Sequence, residues 1–331
     1  MKSLRFMGNS KVEVVEVPKP EVKPDEVLLK IKVSALCGSE MGGFYGPDGS
    51  AGNGGHEFAG EIVDPNGNDC GLAKGDRVGV HVVVGCGKCV YCKTGRETFC
   101  KSLGFCGNAH AEYVAVPARA CLKLPDNIDW DTGVLIAGDA MGVSYHMTQR
   151  VGLQAADTVA VIGLGPIGLG MVAMWGFLGA RVIGVDMSEY RRDLAVKLGA
   201  WKCVEAGKKN TVDKLRKLTG GEGPDTCLEC TGKPDAVTLA FEAVGNGGKI
   251  GLVGEQGQAC FNPSRDLIHK EVNVYGGWYF RLHEFPGMVE LCNRGLKAKK
   301  VVTHRFPLAD AQKGYDLMAQ QKCGKVLFVQ Y

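Results

Sequence analysis

Residues 157–186, DTVAVIGLGPIGLGMVAMWGFLGARVIGVD, restrict the fold more than any other stretch of the chain. A short apolar strand, Val159-Ala160-Val161-Ile162, runs into a turn where Gly163, Gly165 and Gly168 fall at G-x-G-x-x-G spacing. An apolar helical pattern opened by Pro166 and Ile167, a second strand Val182-Ile183-Gly184-Val185 and the acid Asp186 follow in order. Each part suits a dinucleotide. Gly163 permits the tight turn, Gly165 lets the backbone approach a pyrophosphate, and Gly168 lets the helix pack against the strand. The helix N-terminus offers unpaired N–H groups and a positive dipole end to the phosphates. Asp186, eighteen residues after Gly168, is placed to accept hydrogen bonds from a ribose diol. Its charge would repel a 2′-phosphate, so NAD is expected over NADP, although Arg191 and Arg192 lie near enough to offset part of that repulsion. Glycine spacing alone is weak; the ordered strand, turn, helix, strand and acid carry the inference.

Residues 158–180 hold no charge, and such a length could cross a bilayer. Six glycines and Pro166 fall inside it, clustered at the strand–helix turn, which a buried strand and helix explain better. With 331 residues the chain has material for two domains. Its 39 basic and 36 acidic residues nearly cancel, which gives no electrostatic argument for nucleic acid or a membrane surface. The N-terminal MKSLRFMGNSKVEVVEV reads as strand and lacks the apolar core of a signal peptide. Fourteen cysteines without such a signal point to a reducing, cytoplasmic setting, where clustered thiols more often bind metal than pair.

Residues 1–36 alternate apolar and polar positions between prolines, as strands of a β-barrel-like scaffold do. Cys37-Gly38-Ser39-Glu40 and the glycine-rich 41–55 follow, the latter read as a loop, either a pocket rim or a solvated connector. Next stand His56 and Glu57. Cys86, Cys89, Cys92 and Cys100 then appear with C-x2-C-x2-C-x7-C spacing. Four such thiolates close a tetrahedral shell around one zinc, or hold an iron–sulfur cluster. Residues 127–153 turn helical and contain Asp139. Beyond the glycine turn, strands and helices alternate, which implies a doubly wound parallel sheet. Leu308, Ala311, Tyr315 and Met318 mark one helix face, and Lys325–Val329 a last strand.

In order and combination these residues resemble one family, the zinc-containing medium-chain dehydrogenase/reductases of the alcohol and polyol branch. The likeness rests on Cys37-Gly38-Ser39, Gly55-His56-Glu57, the four cysteines, Gly163 to Gly168, Asp186 and His304-Arg305-Phe306-Pro307-Leu308. It implies an α/β chain: a GroES-like, β-rich catalytic domain at 1–147 with a zinc lobe at 86–100, a Rossmann domain at 148–277, and a return at 278–331. Nicotinamide would meet the substrate between the two domains. The four-cysteine site would then be structural zinc. Cys37, His56 and Asp139 would hold a second, catalytic zinc, with Glu57 beside it and Ser39 starting a proton relay. Otherwise Asp139 is a helix cap and Ser39 an ordinary loop residue. The implied chemistry is hydride transfer between a zinc-bound alkoxide and NAD on a small-molecule alcohol, in a homodimer or homotetramer.

The chain also departs from the family. The relay histidine that often follows the Ser/Thr is missing, and Glu40 stands where Asp is more frequent. His110 occupies a position where an aromatic is usual, so it is expected either to line the pocket and bind extra hydroxyls or to replace the relay histidine; otherwise it points to solvent or caps a strand. A sugar, polyol or cyclitol is therefore favoured over simple aliphatic alcohols. The rivals are a zinc-free quinone or enone reductase and a non-catalytic NAD-binding protein. Both fit the two metal-ligand sets poorly.

Overall fold

The structure, a computed structural model, describes every residue except 51, 256 and 331. It divides into two compact units. Met1–Gly142, Arg281–Asn293 and Val302–Tyr331 form one, and Val143–Phe280 with Arg294–Val301 form the other. The chain therefore crosses at 142 and 280 rather than at 147 and 277. It also lends Arg294–Val301 back to the second unit, because the turn Ala298–Val301 packs on the helix Pro166–Phe177.

The first unit is built on a seven-stranded sheet. In space its strands run Val302–Pro307, Lys325–Val329, Glu26–Leu36, Glu57–Asp64, Arg77–Val80 and Cys121–Lys123, with Tyr113–Pro117 also paired to Glu26–Leu36. Alternation along Glu26–Leu36 buries Val27, Leu29 and Ile31 against Phe58, Ile62 and Val78. Register matters more for function. Ala35 pairs with Glu57 on one side, and Leu36 with Val326 on the other. Cys37, His56, Glu57 and Lys325 are thereby gathered at one end of the central strand.

Residues 41–55 are not an open loop throughout. Met41–Tyr45 forms a short helix with Phe44 buried against Tyr315, so the segment is anchored by an aromatic contact that its glycine content conceals.

The second unit is a parallel six-stranded sheet. Its spatial order is Lys202–Glu205, Arg181–Asp186, Thr158–Ile162, Thr226–Glu229, Lys249–Leu252 and Asn273–Gly276. From Thr158–Ile162 the chain winds outward one way, then returns and winds the other way from Thr226–Glu229. The carboxyl ends of those two strands form the switch point at which doubly wound sheets bind ligands. The uncharged stretch 158–180 resolves into a buried strand and a twelve-residue helix. Among the described residues no helix is long and apolar enough to cross a membrane.

Candidate active site

Two clusters of metal-ligating side chains form among the described residues, both in the first unit. In the first, donor atoms of Cys37, His56, Glu57 and Asp139 all lie within 4.8 Å of one another. Sheet register brings the first three together. Asp139 arrives from the first turn of the helix Asp139–Val151, directly after Gly138. Gly138 has no room for a side chain: a Cβ there would lie 2.5 Å from Glu57 Oε2 and 2.7 Å from the Val134 carbonyl.

The contacts within this cluster are those of a cation site. Asp139 Oδ2 lies 3.1 Å from His56 Nε2 and 3.8 Å from Cys37 Sγ. Asp139 Oδ1 is buried with no hydrogen-bond partner. An orphaned carboxylate oxygen in a buried site is costly unless a positive group completes it. Burial opposes a charge on His56, yet Asp139 and Cys37 hold its pKa up to about 12. Positive charge at its centre would complete this cluster. A thiolate, an imidazole and a carboxylate supply two negative charges and a donor set suited to Zn²⁺, so the residues fit the metal.

Glu57 is fully buried and has both oxygens engaged. Oε2 accepts the Asp139 backbone N–H at 3.1 Å, and Oε1 accepts from Lys325 Nζ. Burial disfavours a charge on Lys325, but Glu57, Cys37 and Asp139 keep its pKa above the usual value. Lys325 is thus a fixed internal cation among acids. Ser39 is exposed, on the tight turn Gly38–Glu40 that leaves Cys37.

His110 is not where the sequence suggests. Its side chain is fully buried, so it neither lines a pocket nor faces solvent. Nδ1 pairs with Ser34 Oγ at 2.7 Å and Nε2 with Glu40 Oε2 at 2.9 Å. Both ring nitrogens are therefore satisfied internally, which leaves none for a substrate hydroxyl. The cause is the pair Gly54 and Gly55, at φ +73° and +66°, which press the chain against Glu40 and residues 109–110.

In the second cluster the sulfur atoms of Cys86, Cys89, Cys92 and Cys100 lie within 4.8 Å of one another, with Cys89 Sγ 3.5 Å from Cys92 Sγ. All four are free thiols. The backbone N–H groups of Lys88 and Cys89 hold the Cys86 thiol down to about 6, whereas burial pushes the Cys92 thiol up to about 12. Glu97 accepts the Leu282 N–H at 2.6 Å, and Arg281 Nη1 donates to Thr98 Oγ1 at 2.7 Å, which ties this lobe to the returning chain.

In the second unit the glycine turn follows its expected stereochemistry. Gly163 has φ +92°, and a Cβ on Gly168 would lie 1.8 Å from the Gly163 carbonyl oxygen. A Cβ on Gly165 would meet nothing within 4 Å, so the backbone faces open space at the start of the helix Pro166–Phe177, with Pro166 and Ile167 in its first turn. That is a cradle of the kind a pyrophosphate fills. Asp186 also holds the turn, since Oδ2 accepts the Leu164 N–H and Oδ1 the Ser188 N–H, each at 2.7 Å. A carboxylate has further lone pairs to offer a ribose. Arg191 lies in the first turn of the next helix, Glu189–Leu198, with its N–H on Ser188 Oγ, and Arg192 Nη1 donates to the Asp186 and Met187 carbonyls.

Sequence reading missed the supporting residues Lys325 and Tyr315. They meet Glu57 and Glu40 across 268 and 275 positions, and no local motif announces such partners. For Glu40 the signal was its spacing from Cys37.

The chain resembles known proteins along its whole length. Residues 23–126 match the alcohol dehydrogenase GroES-like domain, and residues 166–294 the zinc-binding dehydrogenase domain. The L-threonine 3-dehydrogenase of Bacillus licheniformis is 33% identical over 328 residues, covering 95% of this chain and 94% of that protein. The structure of alcohol dehydrogenase TADH from Thermus sp. ATN1 superposes with TM-score 0.92 at 29% identity, over 100% of both chains. The 2R,3R-butanediol dehydrogenase of Bacillus subtilis gives TM-score 0.86 at 26% identity, over 100% of this chain and 99% of that one. Two metal-ligand clusters, a glycine cradle at the sheet's switch point and likeness along the whole chain lead to one assignment: this chain belongs to the zinc-containing medium-chain dehydrogenases.

Proposed function

We propose that the chain is an NAD-dependent dehydrogenase, with two zinc ions, that oxidises a secondary alcohol and reduces the matching ketone. The observation that carries this reading is the convergence of Cys37, His56 and Asp139 with Asp139 Oδ1 left buried and unpaired. These three residues would hold the catalytic ion, and Cys86, Cys89, Cys92 and Cys100 the structural one. Bound there, zinc supplies Lewis acidity to the substrate oxygen. A bound nicotinamide would supply hydride acceptance from the carbinol carbon, and the hydroxyl would give up its proton. Ser39, exposed two residues after Cys37, would pass that proton toward water. Glu57, neutralised by Lys325, fixes the Asp139 backbone and keeps the ligand in place. Gly163 to Gly168 receive the pyrophosphate, and Asp186 the adenosine ribose.

The substrate class is a secondary alcohol bearing a second polar group, such as a polyol, sugar or cyclitol. With His110 buried, this now rests on the relatives: L-threonine 3-dehydrogenase and 2R,3R-butanediol dehydrogenase are named for substrates with such a pattern. The test combines zinc analysis with a screen of polyols, sugars, cyclitols, threonine, butanediol and ethanol, followed by NADH absorbance. Two zincs per chain and higher kcat/KM on a polyhydroxylated or amino secondary alcohol are expected. One zinc would overturn the catalytic metal site, and best activity on primary aliphatic alcohols would overturn the substrate class.

A further inference from the structure

Behind the ligand His56 lies a buried polar chain that the proposed reaction does not use. Glu40 is at its centre, and its two oxygens face opposite ways. Oε1 accepts the Cys37 N–H at 3.2 Å and lies 3.7 Å from His56 Nδ1. Oε2 accepts from the Tyr315 hydroxyl at 2.9 Å and from His110 Nε2 at 2.9 Å. The carboxylate thus has metal-site residues on one side and two donors, drawn from a distant helix and loop, on the other.

Each donor is itself fixed. Tyr315 is fully buried, its ring stacked on Phe44 at 5.2 Å and met edge-on by Phe6 at 5.6 Å. Burial and the Glu40 charge push its phenol well above the usual value, so it remains an O–H donor. His110 is held by Ser34 Oγ through Nδ1 and lies edge-on to Phe328 at 4.9 Å. Gly54 completes the enclosure, because a Cβ there would lie 2.2 Å from Glu40 Oε2. Glu40 has no room to turn away.

We propose that Tyr315 and His110 are positioning residues for the metal ligand His56, acting through Glu40. This rests on the reading of Cys37, His56 and Asp139 as a zinc site. With Oε2 committed to Tyr315 and His110, Oε1 is the oxygen left facing His56 Nδ1. Glu40 thus flanks the Nδ1 side of the imidazole, and Nε2, the nitrogen beside Asp139, is turned toward the site of the ion. Outer-shell partners of this kind commonly change metal affinity by roughly 10–100-fold.

Tyr315→Phe removes the hydroxyl and keeps the ring. Chelator competition on the zinc-loaded protein should show the ion at Cys37, His56 and Asp139 leaving about tenfold faster or more. The four-cysteine zinc, an internal control, should leave at the parent rate. In Co²⁺-exchanged protein the visible band of the first site should shift. Glu40→Gln should match or exceed the loss, and adding Tyr315→Phe to it should add little, since both act through one carboxylate. Parent-like zinc release from Tyr315→Phe would overturn the proposal. So would equal acceleration at both sites, or additive effects in the double variant. A parent protein holding only the four-cysteine zinc would instead overturn the metal-site reading itself, and this proposal with it.

Discussion

Asp139 shows how one residue can report a missing partner. Its backbone N–H is bonded to Glu57 and its Oδ2 faces His56, while Oδ1 is buried with nothing to accept from. Asp139→Asn keeps the volume and removes the charge that matches a dication. The variant should fold, retain one zinc per chain instead of two, and lose more activity than the roughly 10–100-fold typical of outer-shell changes. Elemental analysis beside steady-state rates checks this, and a fully active variant with two zincs would refute the ligand assignment. Asp186 gives a second prediction at this scale. Its carboxylate at the end of Arg181–Asp186 would repel a 2′-phosphate, and Arg192 already binds the Asp186 and Met187 carbonyls. NAD should therefore show the higher kcat/KM. A higher value with NADP would show that Arg191 outweighs the acid.

Among the elements, the strand–turn–helix at 158–177 is set by close backbone approach. Placing Ala at Gly168 would put its Cβ 1.8 Å from the Gly163 carbonyl oxygen, and the helix would have to move off the strand. Overpacking of this kind costs about 1–3 kcal/mol. Gly168→Ala should lower Tm and weaken NADH binding, measured by thermal unfolding and fluorescence titration; unchanged affinity would mean that the turn does not hold the cofactor. This element was legible in the sequence because its chemistry is local: glycine spacing, an apolar strand and an acid at fixed offset. The four cysteines were legible for the same reason. Residues 41–55 were not. Their glycines suggest an open loop, yet Phe44 packs on Tyr315 and Gly54 closes on Glu40. His110 misled similarly, since a polar residue at an expected pocket position can instead lie fully buried when Ser34 and Glu40 satisfy both nitrogens. Such partners come from tertiary structure, and only sheet register and chain return reveal them.

For the whole molecule, the two units carry different candidate sites. Both metal-ligand clusters belong to the unit of Met1–Gly142, Arg281–Asn293 and Val302–Tyr331, whereas the glycine turn and Asp186 belong to the other. The four-cysteine lobe buries little apolar surface of its own: Val90 and Phe99 are 62% and 55% exposed. A segment with so little core is of the kind that a bound metal orders. The Glu26–Leu36 sheet, with Val27, Leu29 and Ile31 fully buried, is not. Stripping zinc with a chelator under reducing conditions should therefore loosen the chain selectively. Hydrogen exchange should accelerate most across 86–100, and to a lesser degree near 37–40, 56–57 and 139. Protection across 158–186 should remain, and NADH should still bind. Cys92→Ser should reproduce the first effect alone and lower Tm. Mass spectrometry of the zinc-loaded, stripped and variant proteins would show it. Uniform loss of protection in both units, or an unchanged lobe, would mean that these cysteines do not hold the metal that orders this part of the chain.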